Sequence, residues 1–342
     1  MSTQTLDVAA VNTYVQSHCP EIGQVTGAEK FSGGQSNPTF LLNTDSGRVV
    51  LRRQPPGKLL KSAHAVDREY RVMAALADTD VPVPNVLHLC TDTEVIGSMF
   101  YLMQFVEGKI YWNSALPEAS SPGVRTHMYD EMNRVLAALH SVDIEKAGLS
   151  DYGKPGNYFA RQLSRWTTQY RASELEKIEE VESLISFLES NLPDDDGQVS
   201  LVHGDFRLDN MMFSRDNTSP SIIAVLDWEL STLGHPFADL AYQCMQLRLP
   251  ADLKLAPGLG GLDRALLGIP SEQAYVEAYC ERRNIGEITH WNFYLAFSFF
   301  RLAAILQGVV KRAHDGNASS AQASQLGSMV KPLAAMANTL IK

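Results

Sequence analysis

Two short stretches, LVHGDFRLDNMMF at 201–213 and IIAVLDWE at 222–229, restrict this chain more than any other part of it. Each opens on an apolar run of buried-strand length and then delivers acidic or amide side chains where the run stops. Ser214, Asp216, Asn217, Ser219 and Pro220 between them read as a polar turn. The pattern predicts two short strands in a hairpin, which returns Asp227 to the side of Asn210. Asp205 precedes Asn210 across a loop too short to hold a helix of its own.

One carboxylate and one amide oxygen suit a hard cation such as Mg2+, which takes oxygen ligands and keeps several waters. Asp205 is then left to orient or deprotonate a hydroxyl. Protein kinases divide phosphoryl transfer in this way, with a catalytic-loop Asp for the nucleophile and an Asn and a strand-end Asp for the metal. Taken singly, each of these residues is more often a turn former or a cap. The ordered set carries the chemistry.

HGDxxxxN, then an apolar strand, then DWE resembles the aminoglycoside phosphotransferase and choline kinase superfamily, with HGD in place of the HRD of protein kinases. The resemblance implies an α+β, protein-kinase-like bilobal fold. Residues 1–105 would form a small nucleotide-binding lobe, an antiparallel β-sheet with one main helix. Residues 106–342 would form a larger, mainly α-helical lobe for catalysis and substrate binding. It also implies ATP and Mg2+ as cofactors, with Asp205 catalytic and Asn210 and Asp227 holding the metal. His203 is then a structural member of the loop, and Asp239, in STLGHPFADLAYQCMQL, is the buried Asp that caps it. A turn role fits His235, before Pro236, better than that of a base.

The N-terminal part fits the same scheme. Residues 6–18 have helical spacing, and two β-like runs follow at 31–43 and 47–53. Gly33, Gly34 and Ser36 open the first run and resemble the loop that covers a triphosphate, where small residues let backbone amides approach. GRVVLRR ends where a kinase carries its phosphate-binding lysine; Arg52 stands there instead, able to bind phosphate oxygens in a bidentate manner. An arginine ending an edge strand is otherwise commonly solvated. Residues 62–78 predict a helix with Val66, Tyr70, Met73, Ala74 and Ala77 on its apolar face. Glu69 on that helix matches the glutamate that pairs with the strand cation. Runs at 81–90 and 99–109 complete a small sheet, and the segment Gln104–Gly108, with Gln104 and Val106, is the expected adenine-binding hinge.

RRQPPGKLLKSAHAVDREYRV narrows the resemblance to the kinase-type module fused to some acyl-CoA dehydrogenases and its free-standing bacterial relatives. That subfamily is linked to phosphorylation of 4-hydroxyacyl-CoA or hydroxy acids, and Lys58 and Lys61 would be available to an anionic substrate. From about residue 110 the periodicity is helical. Helices are expected to end at His140, to span 159–170 and 173–191, and to occupy 271–283, 288–314 and 321–341.

Composition excludes several classes. Hydrophobic residues at 45% and charged ones at 20% describe a globular chain. The net charge of -10 opposes sequence-independent binding to nucleic acid or to an anionic membrane. Cys19, Cys90, Cys244 and Cys280 lie far apart without metal-ligand spacing, and read as buried thiols in a reducing compartment. The N-terminal sequence lacks a signal-peptide pattern, so a cytoplasmic location is expected. Phe293–Val310 approaches membrane-spanning length but contains Arg301 and Gln307, and a buried helix accounts for it better.

The expected activity is transfer of a γ-phosphoryl group to the hydroxyl of a small-molecule acceptor. An aminoglycoside or choline-type kinase is the alternative within that class. A catalytically silent nucleotide-binding module, raised by Arg52 in the lysine position, is the alternative from another; a metal-dependent hydrolase using His203, Asp205, Asp227 and His235 finds no HxH or HExxH pairing. Oligomeric state leaves no sequence signal.

Overall fold

A computed structural model of the chain describes residues 6–31, 37–55, 64–253, 257–316 and 326–341. The chain forms two compact units, each assembled from separate segments. The first comprises Met1–Tyr111, Asp143–Leu149 and Asp209–Ser231, and the second Trp112–Val142, Ser150–Leu208 and Thr232–Lys342. The expected division at 105/106 falls just before the leading segment of the first unit ends.

The first unit is built on a five-stranded antiparallel sheet of β1 (Val25–Lys30), β2 (Thr39–Thr44), β3 (Gly47–Arg53), β4 (Val86–Cys90) and β5 (Phe100–Gln104), in the order β1-β2-β3-β5-β4. Helix α1 (Val8–His18) begins at Asp7, whose carboxylate accepts the Ala10 N–H at 2.9 Å. Its Val11 and Val15 pack with Phe40, Leu42, Leu51 and Leu102 into one apolar core. Sequence periodicity missed β1, an edge strand whose VTGAEK carries little alternation, and began the next strand at 31. Strand β2 starts at Thr39, and the predicted triphosphate loop with Gly33, Gly34 and Ser36 lies outside the described residues, as do Lys58 and Lys61.

Helix α2 (Val66–Leu76) buries Val66, Glu69, Val72, Met73 and Leu76. The face differs from the predicted one, because Ala74 and Ala77 are exposed and the carboxylate Glu69 takes an interior position. A second sheet in this unit joins β6 (Lys109–Ile110), β8 (Met211–Phe213) and β9 (Ile222–Val225), in the order β6-β8-β9. Strands β8 and β9 are the expected hairpin, paired Met211 to Val225 and Met212 to Ala224. Gly108 precedes β6 where a side chain has no room: a Cβ there would fall 2.6 Å from the Phe213 carbonyl oxygen.

The second unit is helical apart from the antiparallel pair β7 (Ser200–Val202) and β10 (Thr232–Gly234). Helix α3 (Pro122–His140) starts at Ser121, whose hydroxyl accepts the Val124 N–H, with Pro122 in its first turn. Helix α4 (Tyr158–Ser173) runs to the residue expected to begin the next helix, and the chain re-enters helix only at α5 (Glu179–Ser190). Ser173 spends its hydroxyl on the Gln169 carbonyl at 2.8 Å, inside α4, instead of capping a new helix. Helices α6 (Phe237–Arg248), α7 (Arg264–Leu267), α8 (Glu272–Arg283), α9 (Trp291–His314) and α10 (Val330–Leu340) complete the unit. The apolar stretch judged against a membrane span is α9, which buries thirteen residues from Phe293 to Gln307, Arg301 among them. All four cysteines are buried.

Candidate active site

Strand β3 is central in its sheet, between β2 and β5, so Arg52 is not the solvated end of an edge strand. Its side chain is 12% exposed and that of Glu69 1%. Arg52 Nε stands 2.7 Å from Glu69 Oε2, and its Nη2 donates to Asp227 Oδ1 at 2.6 Å and lies 3.9 Å from Glu229 Oε2. The fork of the guanidinium thus serves two carboxylates at once, which a lysine ammonium, a compact point charge without that planar fork, would do less well. Burial opposes the Arg52 charge, but Glu69, Tyr101, Asp227 and Glu229 outweigh it and raise its pKa above the ordinary value. Burial pushes the Glu69 carboxyl up, and Arg52 draws it back.

Glu69 is held from two further sides. Asn37 Nδ2 donates to its Oε1 at 2.6 Å and the Tyr101 hydroxyl to its Oε2 at 3.1 Å. Asn37 Oδ1 in turn lies 3.1 Å from His64 Nδ1, and its Nδ2 lies 3.5 Å from Glu229 Oε2. Asn37, Tyr101 and Glu229 had no sequence signal beyond the E of DWE and lie outside the expected site set.

Asp227 follows β9 with φ 65° and ψ 60°, the left-handed region that Asp and Asn tolerate best among residues with a side chain other than glycine. Buried Trp228 anchors the turn, donating from Nε1 to the Val225 carbonyl at 2.9 Å. The Leu226 N–H bonds the Asn210 carbonyl at 2.8 Å, so the hairpin places Asn210 and Asp227 at the same end of the β8–β9 pair. A carboxylate and an amide oxygen at one strand end, with Glu229 beside them, fit an oxygen-coordinated divalent cation. Gln104 closes β5, its N–H bonded to the Asn85 carbonyl at 2.8 Å and its side chain exposed. Val106 is half-buried in the segment that follows.

The loop after β7 is organised by Asp239 on α6. Its Oδ2 accepts the His203 N–H at 2.6 Å and its Oδ1 the Gly204 N–H at 2.8 Å. Gly204 has φ 83°, which glycine adopts without strain. Asp239 is fully buried, and His140 Nε2 lies 3.4 Å from it, oriented by the Tyr279 hydroxyl at 2.7 Å from Nδ1. Burial would raise the Asp239 pKa, but His140 and the loop N–H groups hold it below the ordinary carboxylate value. His203 is fully buried and its Nδ1 accepts the Asp205 N–H at 3.2 Å. The Tyr242 hydroxyl, raised in pKa by burial and by Asp205, hydrogen-bonds Asp205. Arg301 Nη2 donates to the Gly204 carbonyl at 2.5 Å. Sequence reading used Arg301 only against a membrane span and did not single out Tyr242. His235 packs among Phe159, Phe237 and Tyr294 and meets Asp196 at 3.2 Å.

A buried cation paired with a helix glutamate, a strand-end Asp and Asn, and an Asp-capped HGD loop are the parts of a kinase-type phosphotransferase. The sequence profile of the phosphotransferase enzyme family matches residues 27–275. The chain belongs to the phosphotransferase enzyme family. Members of this family phosphorylate hydroxyl groups of small molecules, using ATP with Mg2+. A crystal structure from Ralstonia eutropha, provisionally described as an aminoglycoside phosphotransferase, is 47% identical, with TM-score 0.89 and 98% of each chain covered. Acyl-CoA dehydrogenase family member 10 of Mus musculus is 48% identical over 308 residues, covering 90% of this phosphotransferase and 28% of the relative. Family member 11 of Homo sapiens is 39% identical over 333 residues, covering 96% and 42%. The chain therefore spans less than half the length of these two acyl-CoA dehydrogenase family members. Aminoglycoside phosphotransferase APH(4)-Ia, solved with AMP-PNP and hygromycin B, is 15% identical with TM-score 0.62 and shares the fold.

Proposed function

We propose that the phosphotransferase transfers the γ-phosphoryl group of ATP to the hydroxyl of a hydroxy acid or 4-hydroxyacyl-CoA. Bound Mg-ATP supplies the transferable phosphoryl group and the cation that offsets its charge. Asp205 accepts the proton of the attacking hydroxyl as the new P–O bond forms and ADP departs. Asn210 and Asp227 would hold the metal through oxygen, and Arg52, fixed by Glu69, would offset charge on the phosphates. Asp239 and His203 keep the loop that carries Asp205 in one conformation. Gln104 and Val106 flank the backbone that would meet adenine; the expected triphosphate loop with Gly33, Gly34 and Ser36 lies outside the described residues.

The observation that carries the catalytic reading is Arg52, held in a buried ion pair by Glu69 and bonded to Asp227. That buried pairing is costly to assemble, and the sequence keeps it together with an intact HGD motif. The acceptor class is supported by the 39–48% identity to members of the acyl-CoA dehydrogenase family, whose names indicate acyl-CoA chemistry. The second reading, an aminoglycoside acceptor, is favoured by the description of the Ralstonia protein.

The test is an acceptor screen with ATP and Mg2+, following ADP release against 4-hydroxyacyl-CoA, free hydroxy acids, choline and aminoglycosides. The expected result is release stimulated by the hydroxyacyl compounds and a loss of about 10²–10⁴-fold in Asp205→Asn, with nucleotide affinity retained. Stimulation by an aminoglycoside alone selects the second reading, and full activity in Asp205→Asn overturns the mechanism.

A further inference from the structure

Helix α9 is apolar along most of its length, yet it carries Arg301 at a position only 9% exposed. Among the described residues Arg301 forms no ion pair within 4.0 Å, so its buried charge is not neutralised by a carboxylate salt bridge. A guanidinium in such surroundings is costly unless hydrogen bonds, aromatic faces or a ligand compensate it. One nitrogen donates to the Gly204 carbonyl, in the peptide that leads directly into Asp205. The guanidinium carbon lies 5.0 Å from the Tyr242 ring centroid and 5.8 Å from that of Trp166. Both rings offer cation–π stabilisation.

Two features show that this surrounding is not a closed structural network. An arginine has five N–H donors, and among the described residues one Arg301 nitrogen is hydrogen-bonded. Trp166 Nε1, in the second of these rings, is buried without a hydrogen-bond partner among the described residues. A buried indole N–H without an acceptor costs free energy in this state and gains one when an oxygen ligand arrives. The third neighbour, Tyr242, is bonded to Asp205 itself. Unspent donors therefore stand beside the residue proposed to receive the hydroxyl proton.

We propose that Arg301 and Trp166 form the subsite that takes the carboxyl-derived oxygen of the acceptor, a carboxylate or an acyl carbonyl, while its hydroxyl meets Asp205. The inference rests on the hydroxy-acid reading above and assigns specificity residues to it. The positive charge of Arg301 also repels the ammonium groups of a polycationic aminosugar from this end of the site.

The test compares 4-hydroxypentanoate and its CoA thioester with pentane-1,4-diol, which keeps the hydroxyl and lacks the carbonyl. The unaltered protein, Arg301→Leu, Arg301→Lys and the milder Trp166→Phe are each measured for kcat/KM, nucleotide affinity and thermal unfolding. Expected is a preference for the acid or thioester over the diol on the order of tenfold or more. That preference collapses in Arg301→Leu, is partly kept in Arg301→Lys and falls in Trp166→Phe, with nucleotide affinity unchanged. An equal loss for all three acceptors in Arg301→Leu, with no effect of Trp166→Phe, overturns the subsite and leaves Arg301 as a support of the Gly204 peptide. No transfer to acid or thioester by the unaltered protein removes the acceptor reading itself, and the subsite with it. Transfer to an aminosugar in that case leaves phosphotransfer standing.

Discussion

Arg52 holds the carboxylate of Asp227 at 2.6 Å while the same guanidinium reaches Glu69 at 2.7 Å. One planar group thus links the helix glutamate Glu69 to the strand-end Asp227. Removing it leaves Glu69 buried beside Asn37 and Tyr101 without its cation. Arg52→Ala should cost about 3–5 kcal/mol of unfolding free energy, the usual penalty for orphaning a buried charge. Arg52→Lys keeps the charge but serves the two carboxylates less well, and should lose less stability while weakening nucleotide binding. Denaturant unfolding and nucleotide titration measure both. An Arg52→Ala protein as stable as the parent would mean that the ion pair contributes nothing net.

Buried histidines set a pH dependence. Burial lowers the pKa of fully buried His140 and of His235, against the pull of Asp239 and Asp196 respectively. A base whose folded pKa lies below its unfolded value binds fewer protons when folded, so stability rises with pH between the two values. Acidification below about 6.5 should therefore destabilise the protein, by up to roughly 1.4 kcal/mol per pH unit for each histidine. Urea midpoints at pH 7.5, 6.0 and 5.0 should fall in that order. A midpoint that holds constant or climbs on acidification contradicts it.

Gly108 is expected to resist substitution. A methyl group there meets Met212, the Phe213 carbonyl and Ile223, two of them side chains and one fixed backbone. Gly108→Ala should cost about 1–3 kcal/mol, as overpacking does in a filled interior. The damage would fall on the β6–β8 contact, beside the proposed hinge, so the nucleotide KM should rise as the melting temperature drops. A neutral result on both counts would show that this segment yields easily.

Much of this was legible in the sequence because the informative residues come in ordered sets. HGD, Asn210 and DWE are contiguous with their strands, so spacing alone predicted the hairpin that the Met211–Val225 pairing shows. Long-range partners were not legible. Asn37 reaches Glu69 and Arg301 reaches Gly204 only through the fold. Glu69 is the exception: helical periodicity assigns a carboxylate to the solvent face, and the resemblance to kinases, not the periodicity, pointed to the pairing with Arg52 that the fold shows. Edge strand β1 was missed because a strand with a single neighbour needs little apolar alternation.

Asp239 offers the sharpest separation of loop geometry from chemistry. Its two oxygens receive the N–H groups of His203 and Gly204, so one side chain fixes the peptides that precede Asp205. Its folded pKa is depressed, so its contribution is present above the unfolded value near 3.9 and is lost as pH falls through the folded value. Asp239→Asn puts an amide NH2 where an acceptor is required, and one backbone N–H of the loop is left buried and unpaired. That variant should lose about 1–3 kcal/mol of stability. It should also lose turnover, although Asp205, Asn210 and Asp227 remain in place. The lost turnover should not return at higher acceptor concentration, because the defect lies in the geometry of Asp205 and not in acceptor binding. Steady-state kinetics separate the two: a change in KM alone, with kcat preserved, would show that the loop keeps its conformation without Asp239.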